Sequence, residues 1–191
     1  MWKPFFIILS LAIFAPGAMC VPASANIAAN SEREMRLERL FERLKNAPNA
    51  MVAEEVASNI KALFSENDSP TAELLLKQAD QAFSSGDFMS ALAILDVLTE
   101  QYPEFAEAYN RRATVLFLMG ELERSANDLE QVLRIEPRHF GALGGLGLVR
   151  RAQGQLPEAL SALREALAVH PFLRGAQQLV DEISQKIEHS I

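Results

Sequence analysis

Residues 72–105 read AELLLKQADQAFSSGDFMSALAILDVLTEQYPEF, residues 106–139 AEAYNRRATVLFLMGELERSANDLEQVLRIEPRH, and residues 140–173 FGALGGLGLVRRAQGQLPEALSALREALAVHPFL. Laid over one another, the three lines place Gly86, Gly120 and Gly154 at one position and Pro103, Pro137 and Pro171 at another, 34 residues apart each time. A period of that length marks a helix–turn–helix unit that buries its apolar surface only by stacking on its neighbours. The first helix of each unit is expected to end near the glycine. The second runs to just before the proline, which lacks the N–H to continue it. Six helices should therefore lie between Thr71 and Leu173.

The agreement extends to packing positions. Ala79, Ala113 and Gly147 share one position, and Ala91, Ser125 and Ala159 share a second. Small side chains there let paired helices approach closely. Bulky residues recur between them, as Leu75, Tyr109 and Leu143, as Phe88, Leu122 and Leu156, and as Leu95, Leu129 and Leu163. Alternating large with small is what interdigitating helices require.

Working outward, Met1 to Ala25 has the layout of a secretory signal: Lys3, an apolar run from Phe5 to Phe14, and the small residues Ala23-Ser24-Ala25 as a cleavage site. The run is too short to span a bilayer, so no stable membrane span is expected after cleavage. The expected location is the periplasm, after secretion across the inner membrane. Cys20, the only cysteine, raises lipid anchorage as an alternative, against which stands the bulky Met19 before it. Cleavage after Ala25 would leave no thiol and hence no disulfide or thiolate chemistry.

Residues 26–70 are expected to hold a flexible lead, Asn26 to Asn30, and a helical hairpin. Ser31-Glu32-Arg33-Glu34 has the form of a capping box, and Leu37, Leu40, Phe41 and Leu44 follow at helical spacing. Asn46-Ala47-Pro48-Asn49 breaks the helix, and a second from about Ala50 to Phe64 carries Val52, Val56, Ile60 and Leu63 on one face. The pair is expected to shield the leading end of the stack, with partner recruitment by the same stripe as the alternative. Ser69 and Pro70 start the next helix. Residues 174–191 hold a last amphipathic helix, with Ala176, Leu179, Val180, Ile183 and Ile187 sealing the third unit.

Composition narrows the function. The chain of 191 residues has 25 acidic against 18 basic residues, a net charge of −7, which speaks against tracking nucleic-acid phosphates. His139, His170 and His189 stand at no metal-ligand spacing, and no nucleophile–base set can be singled out. The glycines of residues 141–147 lack the strand and the Lys-Ser or Lys-Thr ending of a phosphate loop. No cofactor, no metal and no enzyme activity are expected. His139, between Arg138 and Phe140, is expected to pack a junction.

This set of positions, over roughly 100 residues, resembles the tetratricopeptide repeat (TPR) family. The stretch Glu136-Pro137-Arg138-His139-Phe140-Gly141-Ala142-Leu143 is also similar to one in short exported bacterial TPR proteins. The resemblance implies an all-α solenoid of three TPR hairpins, between a degenerate N-terminal hairpin and a C-terminal capping helix. It also implies a non-enzymatic scaffold of the bacterial envelope, whose first helices line a concave groove for a peptide or helix of a protein partner. The alternative is a periplasmic chaperone or assembly factor for envelope or secreted proteins.

Carried over from the family pattern, the groove positions are Leu76, Lys77, Asp80 and Phe83, then Asn110, Arg111, Thr114 and Phe117, then Gly144, Gly145, Leu148 and Arg151. The mixture of aromatic, aliphatic and Arg residues suits an apolar segment with an acidic flank. It does not resemble the family's two-carboxylate clamp, because Leu76, Asp80, Gly141 and Gly145 stand where that clamp has Lys, Asn or Arg. Gln78 and Arg150 also depart from the pattern, in place of an aliphatic and of a tyrosine or apolar residue. Gly144 and Gly145 cost about 1 kcal/mol each in a helix interior. They either admit a ligand backbone or the chain's own N-terminal segment, or accommodate the neighbouring helix.

Overall fold

The computed structural model describes residues 23–189, with side chains from residue 31 onward. Among these residues the chain is all helix: α1 (Ala23–Lys45), α2 (Ala50–Ser65), α3 (Pro70–Ser84), α4 (Phe88–Gln101), α5 (Ala106–Leu118), α6 (Leu122–Ile135), α7 (Phe140–Ala152), α8 (Leu156–Val169) and α9 (Ala176–Glu188). The signal segment up to residue 22, Cys20 included, lies outside the described residues. No described helix is long and apolar enough to cross a membrane.

The turns within the three hairpins are built alike. Gly86, Gly120 and Gly154 have φ of +81°, +81° and +78°, left-handed values that cost a residue with a Cβ about 1 kcal/mol or more. Around the first glycine, the Gly86 N–H donates to the Phe83 carbonyl and the Asp87 N–H to the Ala82 carbonyl, which satisfies the last carbonyls of α3. Gly120 with Glu121, and Gly154 with Gln155, repeat both bonds at the ends of α5 and α7. The starts of α2, α3 and α4 are capped by side chains: Asn49 accepts the Val52 N–H, Ser69 that of Ala72, and Asp87 that of Ser90.

Each hairpin closes over small residues. An added Cβ at Gly147 would lie 2.6 Å from Leu163 Cγ, so α7 and α8 meet at a distance that only glycine permits. In the second hairpin the buried Ser125 hydroxyl donates to the Ala113 carbonyl at 2.8 Å. Each hairpin then packs on the next through α4 with α5 and α6 with α7, and α9 packs on α8. The first helices also touch one another, α3 on α5 and α5 on α7. They form the inner row of a curved stack, with α4, α6 and α8 behind.

Two expectations at the N-terminus are corrected. The helix does not begin at a capping box on Ser31. It starts at Ala23 and runs unbroken through 26–30, a stretch expected to be a flexible lead. Ala23, Ala25, Ala28 and Ala29 are the strongest helix formers, so the helix propagates through them and makes Ser31 an interior residue.

The hairpin α1–α2 also does not close the leading end of the stack. Leu37, Phe41, Leu44, Val56, Ile60 and Leu63 share a core with Phe140, Val169 and Leu173, at the start of the third repeat and its far end. Among the described residues, the core of α3, α4 and α5 holds no residue from α1 or α2. The hairpin is a strap lying across the repeat junctions, with α2 on α5 and α1 on α8.

Among the described residues the leading face stays uncovered, and it is polar at two positions while Leu74, equivalent to the buried Ala108 and Ala142, is 56% exposed. Val115 and Val149 are buried where a preceding repeat packs on them, and Gln81 holds the equivalent position in the first repeat. Gln78, which departs from the family pattern, is exposed there as well. Its equivalent Arg112 instead ties the first two repeats together, donating to Asp128 through Nε and Nη2, both at 2.7 Å, and through Nη1 to Asp96 and Thr99 of α4. Arg150, the other departure, is half-buried and bonds Glu130, Gln153 and Gln155.

Candidate functional site

The inner row α3, α5 and α7 carries all twelve groove positions, and the structure sorts them into three groups. Leu76 does not face a groove. It is 3% exposed and belongs to the core with Ala72, Ala79, Leu95 and Leu116. It is corrected to a packing residue, the usual place of a leucine that finds a neighbouring helix.

A second group is used up within the chain. Glu107, in the first turn of α5, is 3% exposed, and a lone buried carboxylate would be costly. Arg111 pairs with it at 3.0 Å, Asn110 Nδ2 donates to it at 3.1 Å, and His139 Nε2 donates at 3.1 Å. The tautomer follows from the other ring nitrogen: His139 Nδ1 accepts the Ala142 N–H at 3.0 Å, so the proton sits on Nε2.

Arg111 also reaches Asp80 on α3 at 3.2 Å. Burial pushes the Asp80 carboxyl above the usual carboxylate range, Arg111 pulls it back, and Glu107 adds to the rise. Arg111 therefore ties α5 to α3, Asn110 braces Glu107 within α5, and His139 ties that carboxylate to the start of α7. Arg111, shared by two carboxylates, is no free cation for an acidic ligand.

The glycines behave likewise. A Cβ at Gly145 would lie 3.3 Å from a methyl of Leu129 on α6, and one at Gly144 the same distance from Leu173. Gly145 accommodates the neighbouring helix. Gly144 accommodates Leu173, which packs against the core that α1 and α2 share with Phe140. Neither glycine offers open backbone to a ligand.

The third group stays accessible and belongs mainly to the C-terminal halves of the inner helices. Lys77, Thr114 and Arg151 are exposed, and Phe83 and Phe117 are half-buried. Leu148 is 39% exposed, and Leu118, which the family pattern did not single out, is 53% exposed. Arg151 approaches Glu182 of α9 at 3.7 Å, between two half-exposed side chains, so that pair holds it only loosely. The starts of α5 and α7 are covered instead. Phe64 of α2 stacks on His139, and Lys61 stands 5.8 Å from the Phe140 ring centre.

Sequence reasoning missed Glu107, Leu118 and the partners of His139. Glu107 had one available signal, a carboxylate in a first helical turn with Asn110 and Arg111 three and four residues on. Among the described residues no group of three His, Cys, Asp or Glu side chains is placed to hold a metal ion. The accessible strip offers apolar contact flanked by cations, which is binding chemistry.

The tetratricopeptide repeat family's sequence model matches residues 76–128 and 119–173. A TPR repeat-containing protein of Rhizobium etli is 36% identical over 159 residues, covering 83% of this chain and 78% of that protein. Among solved structures, the first TPR of Spaghetti (RPAP3) bound to the HSP90 peptide SRMEEVD superposes with a TM-score of 0.62 at 21% identity, covering 63% of this chain and 96% of that one. MamA superposes with a TM-score of 0.60 at 17% identity, over 89% of this chain and 87% of that one.

Proposed function

Because this chain belongs to the tetratricopeptide repeat family, its stack being an α-solenoid of that type, we propose that it is a non-enzymatic scaffold of the bacterial envelope that binds a partner protein's peptide or helix. The occupant lies along the open half of the concave row. One observation carries this reading: Leu118 and Leu148 are exposed on consecutive inner helices, in the row that also carries the half-buried Phe83 and Phe117, while Arg111 of the same row is taken up by Asp80 and Glu107. Exposed aliphatic side chains grouped on a concave surface are what an apolar anchor of a partner fills. RPAP3 with its HSP90 peptide shows that a stack of similar shape can take a peptide. Export is supported by the signal-like segment before Asn26.

A photo-crosslinking residue placed at Leu148 or Thr114 in the full chain, expressed in cells, should capture one or two proteins. Leu118→Asp with Leu148→Asp should reduce that capture at least tenfold. Equal capture by the double variant would reject the groove, and capture of many unfolded polypeptides would make the protein a chaperone. Fractionation of the same cells should place the protein in the periplasm. Recovery in the cytoplasm would reject export.

A further inference from the structure

A second surface lies outside the groove, where the strap leaves the stack. Between the exposed half of α1, the α2–α3 turn and the junctions before α5 and α7 there is a cleft of about 740 Å³. Its apolar lining is Leu37, Phe64, Phe105, Ala106 and Ile135. Among the described residues its rim carries Glu32, Glu34, Glu66, Asp68, Glu73 and Glu104 against Arg33 and Arg36, with Glu136 already held by Arg138 at 3.1 Å. Arg33 donates through Nη2 to the Leu63 carbonyl, and its enclosed Nε has no acceptor.

Two chemistries meet there. Ala106 and Ile135, half-buried over the core residues Leu37, Phe64 and Phe105, give an apolar side chain a place to rest, and the exposed carboxylates attract cations. A peptide with basic and apolar side chains supplies both at once. We infer that this cleft binds a basic peptide segment of a partner, one that alternates Lys or Arg with an apolar side chain. The cleft is separate from the strip at Leu118 and Leu148, so the two surfaces would hold two segments, as a scaffold requires. The surplus of acid also sets the sign of the partner and its salt dependence, because exposed charges are screened beyond about 10 Å at 0.1 M salt.

The test uses the full chain and a short fluorescein-labelled peptide alternating lysine and leucine, read by fluorescence anisotropy. Binding is expected, and Glu66→Lys, Asp68→Lys and Glu104→Lys together should weaken it at least tenfold. The milder Glu66→Gln, Asp68→Asn and Glu104→Gln set should weaken it about threefold with the helical circular dichroism unchanged, which separates lost binding from lost folding. Leu118→Asp with Leu148→Asp should leave it unchanged, so this surface can fail while the groove stands, and the reverse. The inference is overturned by no binding to the wild type, by loss on the groove variant alone, or by neither charge set weakening it. Equal binding of a lysine-only peptide, or full displacement by spermine at equal charge, would also overturn it, since either reduces the cleft to bare charge attraction.

Discussion

Phe64 of α2 lies flat on the ring of His139, with centroids 4.4 Å apart and planes 14° from parallel. The same imidazole caps α7 through Nδ1 and holds Glu107 of α5 through Nε2. One residue at a repeat junction thus joins the strap, the second repeat and the third. The strap is held by this stack, by Phe41 and Phe140 in the shared core, and by Arg138, whose guanidinium lies 4.3 Å from the Phe41 ring centre and pairs with Glu38.

Removing the ring should loosen the strap. Phe64→Ala is expected to cost about 3 to 5 kcal/mol, the usual range for a buried phenylalanine. Hydrogen exchange should rise first in α1 and α2 and leave α4 and α6 protected. Uniform loss of protection would show that strap and stack fold as one unit.

The Arg112 clasp should behave as a coupled pair. Asp128 is buried and Arg112 mostly so, and breaking a buried pair by removing one member costs about 3 to 5 kcal/mol, less where solvent reaches it. Its bonds to Asp128 lead the effects that raise the Arg112 pKa, so the guanidinium stays charged at any working pH. Arg112→Met should therefore destabilise by about 3 kcal/mol, and Arg112→Met with Asp128→Leu should recover more than half of that. A double variant as unstable as the sum of the singles, in urea melts, would refute the coupling.

The third-repeat glycines should separate by contact. Gly147→Ala forces a methyl against Leu163 and should cost about 1 to 3 kcal/mol. Gly145→Ala meets only Leu129 methyls at 3.3 Å and gains about 1 kcal/mol of helix propensity, so it should remain within about 1 kcal/mol of wild type. Thermal melts that rank the two the other way would contradict the packing described here.

Stability should fall on the acid side of neutrality because of His170. Its ring is buried edge-on to Phe140, and its Nδ1 has no hydrogen-bond partner. Burial lowers its pKa from 6.5, Glu54 opposes the drop and Lys61 adds to it. The unfolded chain takes up a proton near pH 6.5 while the folded chain resists it, so unfolding binds protons below that value. The contribution is full above 6.5 and is lost as pH falls toward the folded pKa. His170→Gln should flatten the pH dependence of the urea midpoint between about 7.5 and 5. An unchanged slope would exclude His170 as its source.

The six stacked helices were legible because their signals are local. A glycine at positive φ, a proline two residues past a helix end and a small residue at each close approach are written at a fixed period. The groove was legible only in part. A side chain's position on a helix tells which way it points, and what stands opposite depends on distant chain. Leu76 met α4, Gly145 met Leu129, and Arg111 met Glu107 and Asp80.

The repeat architecture and the inner row were determined by the amino-acid order alone, through backbone preference and apolar periodicity. Where the N-terminal hairpin goes was decided only in three dimensions. Its stripe of Leu, Phe, Val and Ile suits any apolar surface. Phe140 at the start of α7 and Val169 and Leu173 at and beyond the end of α8, brought to one edge by the antiparallel pairing of the third hairpin, offered the surface it covers.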